Sequence, residues 1–407
     1  MVMYYLRNSG GRIVQFDSHD EYQAHLGLDG FSVPTNREII DFQESRNKAW
    51  HDMRRAQEIK LNYDKNSVYL ATVTQGKGDG YSTSSGGFVK ELQKLGVNID
   101  TKNIGQKIAL LYHNPYSLLR LEAPYRMIYT MFESTKIPKD WPDFLHAAEK
   151  VLVPSKWCQK VFAESGVESE VVPLGYDDDV FIFNERKNKR STRQDFIFLH
   201  YNAFNIRKGF IEVFKAFTQE FSKDEPVKLV LKTNLKHIPI PINPQVYPNI
   251  EIINKKMEAW ELADLCADSD CFVFPSRGEG FGMTPLEAMA TGLPTIVPNA
   301  HGITEYFNPE FMYEVEVENT CPGIYSKYKG QDVGDMVVCS VKHLRQQMRY
   351  IYEHQDEAMA KGRAASEYVK QWTYKQTAAK LNDIFQDIFS KPLPPRKDSN
   401  ILTVEAF

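Results

Sequence analysis

Two glutamates with seven residues between them, Glu279 and Glu287, are the first side chains in this sequence whose type and spacing point to chemistry. They lie in FPSRGEGFGMTPLEAMATGLPTIVPNAHG, residues 274–302. There an apolar strand candidate, 271–274, runs into a loop carrying Gly278, Gly280 and Gly282. Pro285 suits the first turn of the helix that the pattern predicts next. Glu279 then sits on the loop and Glu287 about one turn into the helix, and both can face one pocket. A carboxylate accepts two hydrogen bonds in a fork, which fits the hydroxyls of a sugar or a ribose. Glycines let the backbone approach a ligand closely, and the free N–H groups of a helix start attract anions. The chemistry implied is recognition of a hydroxylated diphosphate.

Other segments carry groups that suit the same task. In YNAFNIRKGFIEVFKAF, residues 201–217, Arg207 and Lys208 stand before Gly209 and could clamp phosphate oxygens. QGKGDGYSTSSGGFVKELQKLG, residues 75–96, is a glycine-rich loop that leads into a helix read from Gly86 and Gly87. Two further polar residues follow strand candidates. His113 in LYHNPY is either a ligand contact or a half-buried structural histidine. Glu133 in YRMIYTMFESTKIPKDW is either a sugar or acceptor contact or a structural hydrogen-bonding group. The acidic run Asp177, Asp178 and Asp179 lies at an interdomain crossing, and no His/Cys cluster has zinc spacing, so no metal is expected.

The elements that must position these groups read as two α/β runs. Strand candidates at 67–73, 108–112, 127–131, 150–153 and 170–172 alternate with helical patterns, as do those at 196–200, 227–231, 250–253, 271–274 and 294–297. Such alternation predicts parallel, doubly wound sheets. The chain of 407 residues suits two such domains at roughly 150 residues each. A short hairpin signal around Gly10-Gly11, then a charged helix-permissive stretch, precede the first.

The expected layout is an N-terminal extension at 1–60 and a first Rossmann-like domain at 61–183. A linker at 184–193 leads to a second Rossmann-like domain at 194–370. A C-terminal helix at 371–390 packs back on the first domain, and a tail at 391–407 closes the chain. No apolar run approaches the ~18 residues of a membrane span, and no signal peptide is evident. Five cysteines without a C-x-x-C pair fit a reduced, cytoplasmic setting, of a cell or of a virus-infected host. The net charge of −4 leaves no global attraction to nucleic acid, so only a local basic patch could supply one.

Residues 274–302 resemble the signature of glycosyltransferase family 4, the retaining GT-B enzymes, and the resemblance extends over roughly residues 67–385. It implies an α/β GT-B fold of two Rossmann-like domains facing a cleft. Glu279 would contact the donor sugar, Glu287 the ribose, and amides around Phe281, Gly282, Met283 and Thr284 the diphosphate or sugar. Lys208 aligns with the family's phosphate-clamping lysine. The family's upstream arginine falls at Asn202, and Arg207 is the candidate replacement. Gly86 and Gly87 would open a helix toward the donor phosphates. Glu133, or Phe132, occupies the place where members often carry a histidine facing the donor sugar.

The reaction implied is transfer of a hexose, with UDP-glucose as first donor, onto a hydroxyl with retained configuration and without metal or cofactor. Glu279, Lys208, Arg207, Glu133 and His113 form the candidate catalytic set. Replacing Lys208 or Glu279 is expected to lower turnover while leaving thermal stability nearly unchanged. A glycan or small sugar is the default acceptor. Duplex DNA bearing hydroxymethylated pyrimidines, as some phage enzymes modify, is the alternative. It would rest on Arg186, Lys187, Lys189, Arg190 and Arg193, which otherwise form a solvated linker. A phosphorylase of the same shape would need a pyridoxal phosphate lysine motif, and none is apparent. A non-catalytic nucleotide-sugar binder would be expected to lack Glu279, Glu287 or Lys208, and all three are present.

Overall fold

The computed structural model describes residues 4–8, 13–16, 23, 25, 31–35, 37–45, 64–72, 80–100, 105–121, 123–183, 185, 195–202, 205–234, 243 and 245–392. The basic run Arg186–Arg193, the loop before Gly80 and residues 393–407 of the C-terminal tail lie outside them.

A three-stranded antiparallel sheet opens the chain. β1 (Tyr4–Asn8) pairs with β2 (Ile13–Phe16), as the sequence predicts, and also with β3 (Phe31–Ser32). Arg120 Nη2 donates to the Tyr5 hydroxyl at 2.6 Å, tying this extension to the first large domain.

That domain is built on a six-stranded parallel sheet of β4 (Asp64–Thr72), β5 (Asn98–Asp100), β6 (Gln106–Tyr112), β7 (Tyr125–Tyr129), β8 (Lys150–Val153) and β9 (Glu170–Val171). Its spatial order is β5-β4-β6-β7-β8-β9. Every residue of β6 is buried, because a parallel sheet is covered on both faces by its crossover helices. These are α1 (Gly80–Lys94), the short α2 (Trp141–Leu145) and α3 (Lys156–Glu164).

The second domain repeats the plan. β10 (Phe196–Tyr201), β11 (Val227–Thr233), β12 (Ile250–Asn254), β13 (Cys271–Val273), β14 (Thr295–Val297) and β15 (Tyr313–Glu314) form a parallel sheet of order β12-β11-β10-β13-β14-β15. The helices are α4 (Phe210–Glu220), α5 (Ala259–Ala267) and α6 (Met283–Ala290). An antiparallel hairpin, β16 (Val317–Pro322) and β17 (Asp335–Cys339), follows β15. Then come α7 (Val341–Glu353), α8 (Gln355–Tyr368) and α9 (Tyr374–Ser390).

The two domains share a core. Phe88, Tyr112 and Tyr129 of the first belong to one buried cluster with Phe281, Leu286, Tyr374 and Leu381. The return of the chain is fixed where the Tyr176 N–H donates to the Trp372 carbonyl at 3.2 Å and the Tyr374 N–H to the Tyr176 carbonyl at 3.0 Å, which lays α9 along α1. No helix among the described residues is long and apolar enough to cross a membrane.

One expected element changes. The helix read from Gly86 begins at Gly80, so Gly86 and Gly87 lie inside α1 rather than at its anion-attracting start. Gly87 faces α9, where a Cβ would lie 2.1 Å from the Tyr374 ring, and Gly86 is exposed with open space around it. Packing of two helices, not a phosphate, is what the structure asks of Gly87.

Candidate functional site

A buried cluster of charges gathers at the carboxyl ends of β10 and β13, where ligands bind in open parallel sheets. After β10, the Asn205 side chain accepts from the Lys208 N–H at 3.1 Å and caps a single 3-10 turn, Ile206–Lys208. Gly209 then adopts φ 74° and turns the chain into α4, with the Pro275 carbonyl so close that a Cβ would lie 2.1 Å from it. That turn aims Arg207 and Lys208 at the loop after β13. The Arg277 N–H donates to the Arg207 carbonyl at 2.7 Å and joins the two loops.

Glu279 is the hub, at 7% exposure. Its Oε1 accepts from Lys208 Nζ at 2.7 Å and from Ser276 Oγ at 2.7 Å, and lies 3.4 Å from Arg207 Nη1. Burial alone would raise this carboxyl, but Lys208, Arg207 and the hydrogen bonds outweigh it and hold Glu279 below the usual carboxylate range. Arg207 also donates to the Gly278 carbonyl at 2.6 Å and lies 3.4 Å from Glu133. Burial opposes the Arg207 charge, and Glu133 and Glu279 more than offset that. Lys208 and Glu279 form a buried ion pair, and removing one partner of such a pair leaves the other uncompensated, so their replacement is expected to lower stability as well as turnover, against the expectation from sequence.

Glu287 occupies a different corner on the second turn of α6, at 8% exposure. Its Oε2 accepts from the Tyr201 hydroxyl at 2.8 Å. Burial pushes the Glu287 carboxyl up to about 7, against the hydrogen bond from Tyr201 and the charge of Lys232. Between the two glutamates, Gly282 adopts φ 87° at the start of α6, and its carbonyl accepts from Tyr306 at 2.6 Å. Met283 and Thr284 begin the helix with their backbone N–H groups at its first turn. Phe281 is buried as a whole, at 1% exposure, with its ring against Tyr306.

The first domain contributes Glu133 and His113. Both line a cavity of about 800 Å³ together with Arg207, Phe132, Trp141 and Tyr325. Asn114 Nδ2 lies 2.7 Å from His113 Nδ1, and the Tyr81 ring meets the His113 ring edge-on at 5.3 Å. The loop glycines acquire a second purpose here. A Cβ on Gly278 would lie 2.1 Å from the Glu133 carbonyl oxygen, and one on Gly280 would lie 2.7 Å from Met131 Cβ. Their bareness lets the two domains touch at the floor of the cleft. A further cavity of about 450 Å³, lined by Phe183, Asp270, Pro294 and Arg363, shares no residue with this one.

Four residues of this region escape sequence reasoning: Ser276, Tyr201, Lys232 and His301. Tyr201 and Lys232 are register partners near the carboxyl ends of β10 and β11, where the strand-end rule could have found them. His301 has φ 53°, the only left-handed non-glycine backbone among the described residues. Its ring lies tilted against Trp157 of the first domain at 4.6 Å, and burial pushes it down to about 4, so it is neutral at neutral pH. The Asp177–Asp179 run turns to lysines: Asp178 takes Lys375 at 2.7 Å and Asp179 takes Lys90 at 3.1 Å.

Residues 181–319 match the family model described as glycosyl transferases group 1. Among curated proteins, the chain is 26% identical over 209 residues to ORF313 of Acidianus filamentous virus 1, assigned provisionally as a glycosyltransferase. That alignment covers 49% of this chain and 59% of the viral protein, and the chain spans still less of the next relatives. A glycosyltransferase from Rickettsia africae superposes with a TM-score of 0.60 at 17% identity, covering 81% of this chain and 100% of that one. HepE from Anabaena, solved with UDP and glucose, gives a TM-score of 0.59 at 13% identity over 79% of this chain and 99% of its own. The chain thus has the GT-B fold and carries a group 1 glycosyltransferase region.

Proposed function

We propose that this protein is a retaining glycosyltransferase that moves a hexose, with UDP-glucose as first donor, onto a saccharide hydroxyl. The observation that carries the reading is the Arg207–Lys208–Glu279 cluster at the start of α6, with Glu287 on the next turn. Cations and helix-terminal amides suit a diphosphate, Glu279 a sugar hydroxyl and Glu287 a ribose. HepE's complex with UDP and glucose supports the choice of donor by similarity of fold.

In this mechanism the bond from sugar C1 to the diphosphate oxygen breaks as the acceptor oxygen bonds to C1 on the same face. The acceptor's proton passes to the departing phosphate, so no dedicated protein base is needed. Arg207 and Lys208 stabilise the charge that grows on the leaving group. In the structure Lys208 and Arg207 are held by Glu279, so the donor must take over part of that pairing. Glu133, 3.4 Å from Arg207, sets the position of the guanidinium.

The test is incubation with radiolabelled UDP-glucose and a panel of pyranosides, glycans and hydroxymethylated duplex DNA, with EDTA in a parallel series. A labelled α-linked product from the α-linked donor, formed equally with EDTA, is the expected result. An inverted product, or activity that EDTA abolishes and magnesium or manganese restores, would refute this mechanism.

A further inference from the structure

The hairpin β16–β17 lies almost wholly beyond the family match, since that match ends at residue 319 and the hairpin spans Val317–Cys339. It rises from the second domain, where the Val337 N–H donates to the Arg277 carbonyl at 2.8 Å, beside the loop that bears Glu279. It then crosses to the first domain. The Asp335 N–H donates to Thr135 Oγ1 at 2.8 Å, the Thr135 N–H to the Asp335 carbonyl at 3.0 Å, and Ser134 Oγ to the Val333 carbonyl at 2.6 Å. Lys136 and Asp332 add an ion pair at 2.6 Å. The hairpin tip thereby closes one side of the 800 Å³ cavity.

What the tip brings is aromatic. The Tyr325 ring lies 5.0 Å from Phe132, and Tyr328 lies 6.4 Å from Trp141. Ile324 stands at the rim, 74% exposed. Below them lies the Glu133–Arg207 pair. Ring faces suit the C–H faces of a pyranose, and a carboxylate with a guanidinium suits its hydroxyls. Glu133 pairs with Arg207 and Arg277 pairs with Glu212 behind the lining, while Lys327 lies over the Tyr116 ring, so the cations of the lining are engaged by the protein itself. The volume falls in the ~300–1,000 Å³ range of small-molecule sites. Burial, and then the Glu133 charge, push the Tyr325 phenol up, so its hydroxyl stays neutral and able to donate.

We infer that this hairpin is the acceptor-selecting wall of the cleft, with Tyr325 packed on the face of a saccharide acceptor's terminal pyranose ring and Glu133, held by Arg207, taking its hydroxyls. The inference rests on the glycosyltransferase reading above and names the residues that choose the acceptor.

The test compares Tyr325→Ala, Tyr325→Phe and the solvent-facing hairpin variant Glu318→Ala in the full chain. UDP-glucose is saturating, and methyl gluco-, manno- and galactopyranosides serve as acceptors. Tyr325→Ala should raise the acceptor KM at least tenfold while kcat falls less, and Tyr325→Phe, which keeps the ring, should raise it less than threefold. Glu318→Ala should not move it. An unchanged KM in Tyr325→Ala overturns the proposal, as does an equal rise in Glu318→Ala. Transfer by the unsubstituted protein to hydroxymethylated DNA but to no pyranoside also overturns it, while leaving the glycosyltransferase reading intact. Absence of both donor hydrolysis and transfer with every nucleotide sugar instead refutes that reading, and this proposal falls with it.

Discussion

Glu279 and Glu287 are one residue type on one loop-to-helix segment, yet their corners of the cleft differ in kind. Around Glu279 stand two cations and a hydroxyl, and the carboxyl is held below its ordinary range. Around Glu287 one tyrosine hydroxyl is the direct partner, and burial lifts the carboxyl to about 7. The first corner is a buried ion network whose charges compensate one another. The second is an acid whose burial disfavours its ionised form. Sequence spacing alone treats the two as a matched pair.

The largest effects should follow from breaking the first corner. Glu279→Gln keeps the shape and leaves Arg207 and Lys208 facing each other without their shared anion. Turnover with UDP-glucose should fall at least tenfold, equivalent to about 1.4 kcal/mol of transition-state stabilisation. The urea midpoint should also fall, by an amount matching about 3 kcal/mol. Lys208→Ala should act in the same direction on both readouts. Lost turnover with an unmoved midpoint would show that the ion network contributes nothing to folding, and unchanged turnover would remove these residues from the site.

The second corner should behave oppositely. Free in the unfolded chain a glutamate titrates near 4.5, and Glu287 in the folded protein titrates at about 7. The folded state therefore holds the extra proton in that interval, and stability present below pH 4.5 is lost as pH rises through 7. The gap corresponds to about 3 kcal/mol above that window. Glu287→Gln should flatten this slope and raise the midpoint of the ligand-free protein at about pH 8, while weakening UDP-glucose binding. Binding by the unsubstituted protein should tighten from about pH 6 to about pH 8 as the carboxylate forms. Calorimetry across that range checks both signs, and a pH-independent midpoint in the unsubstituted protein would show that Glu287 is not so buried.

How much of this is legible in sequence follows from which forces are local. The core strands from β4 to β14, apart from the three-residue β5, are readable because buried parallel strands are apolar runs bounded by turns. Lys208, Glu279 and Glu287 are readable because one motif carries each. Gly86 and Gly87 mislead, since a glycine pair inside a helix reads as the loop before one. Tyr374, which accounts for Gly87, is 287 residues away in the chain. The hairpin β16–β17 is unreadable for a related reason. Residues 317–320 are all exposed, so no burial alternation marks β16, and its tip acquires meaning only against Phe132 and Trp141. The sequence motif marks Glu279 and Glu287; the hairpin's place against the first domain is made by tertiary contact.

The smallest expected effect sharpens the same contrast of like residues in unlike surroundings. Gly86 and Gly87 are neighbours on α1, one facing open solvent and the other the ring of Tyr374. A glycine inside a helix costs about 0.5–1 kcal/mol relative to alanine, because the unfolded chain gains more freedom from it. Gly86→Ala should therefore raise the urea midpoint by roughly that amount and leave UDP-glucose affinity unchanged. Gly87→Ala adds the same helix propensity but drives a methyl into a buried ring, and overpacking of that kind costs about 1–3 kcal/mol. It should lower the midpoint, and Gly87→Ala combined with Tyr374→Leu should recover part of the loss. The informative failure is Gly86→Ala weakening UDP-glucose binding with stability unharmed. That result would return the amino end of α1 to the donor phosphates, and the donor site would then draw on both domains.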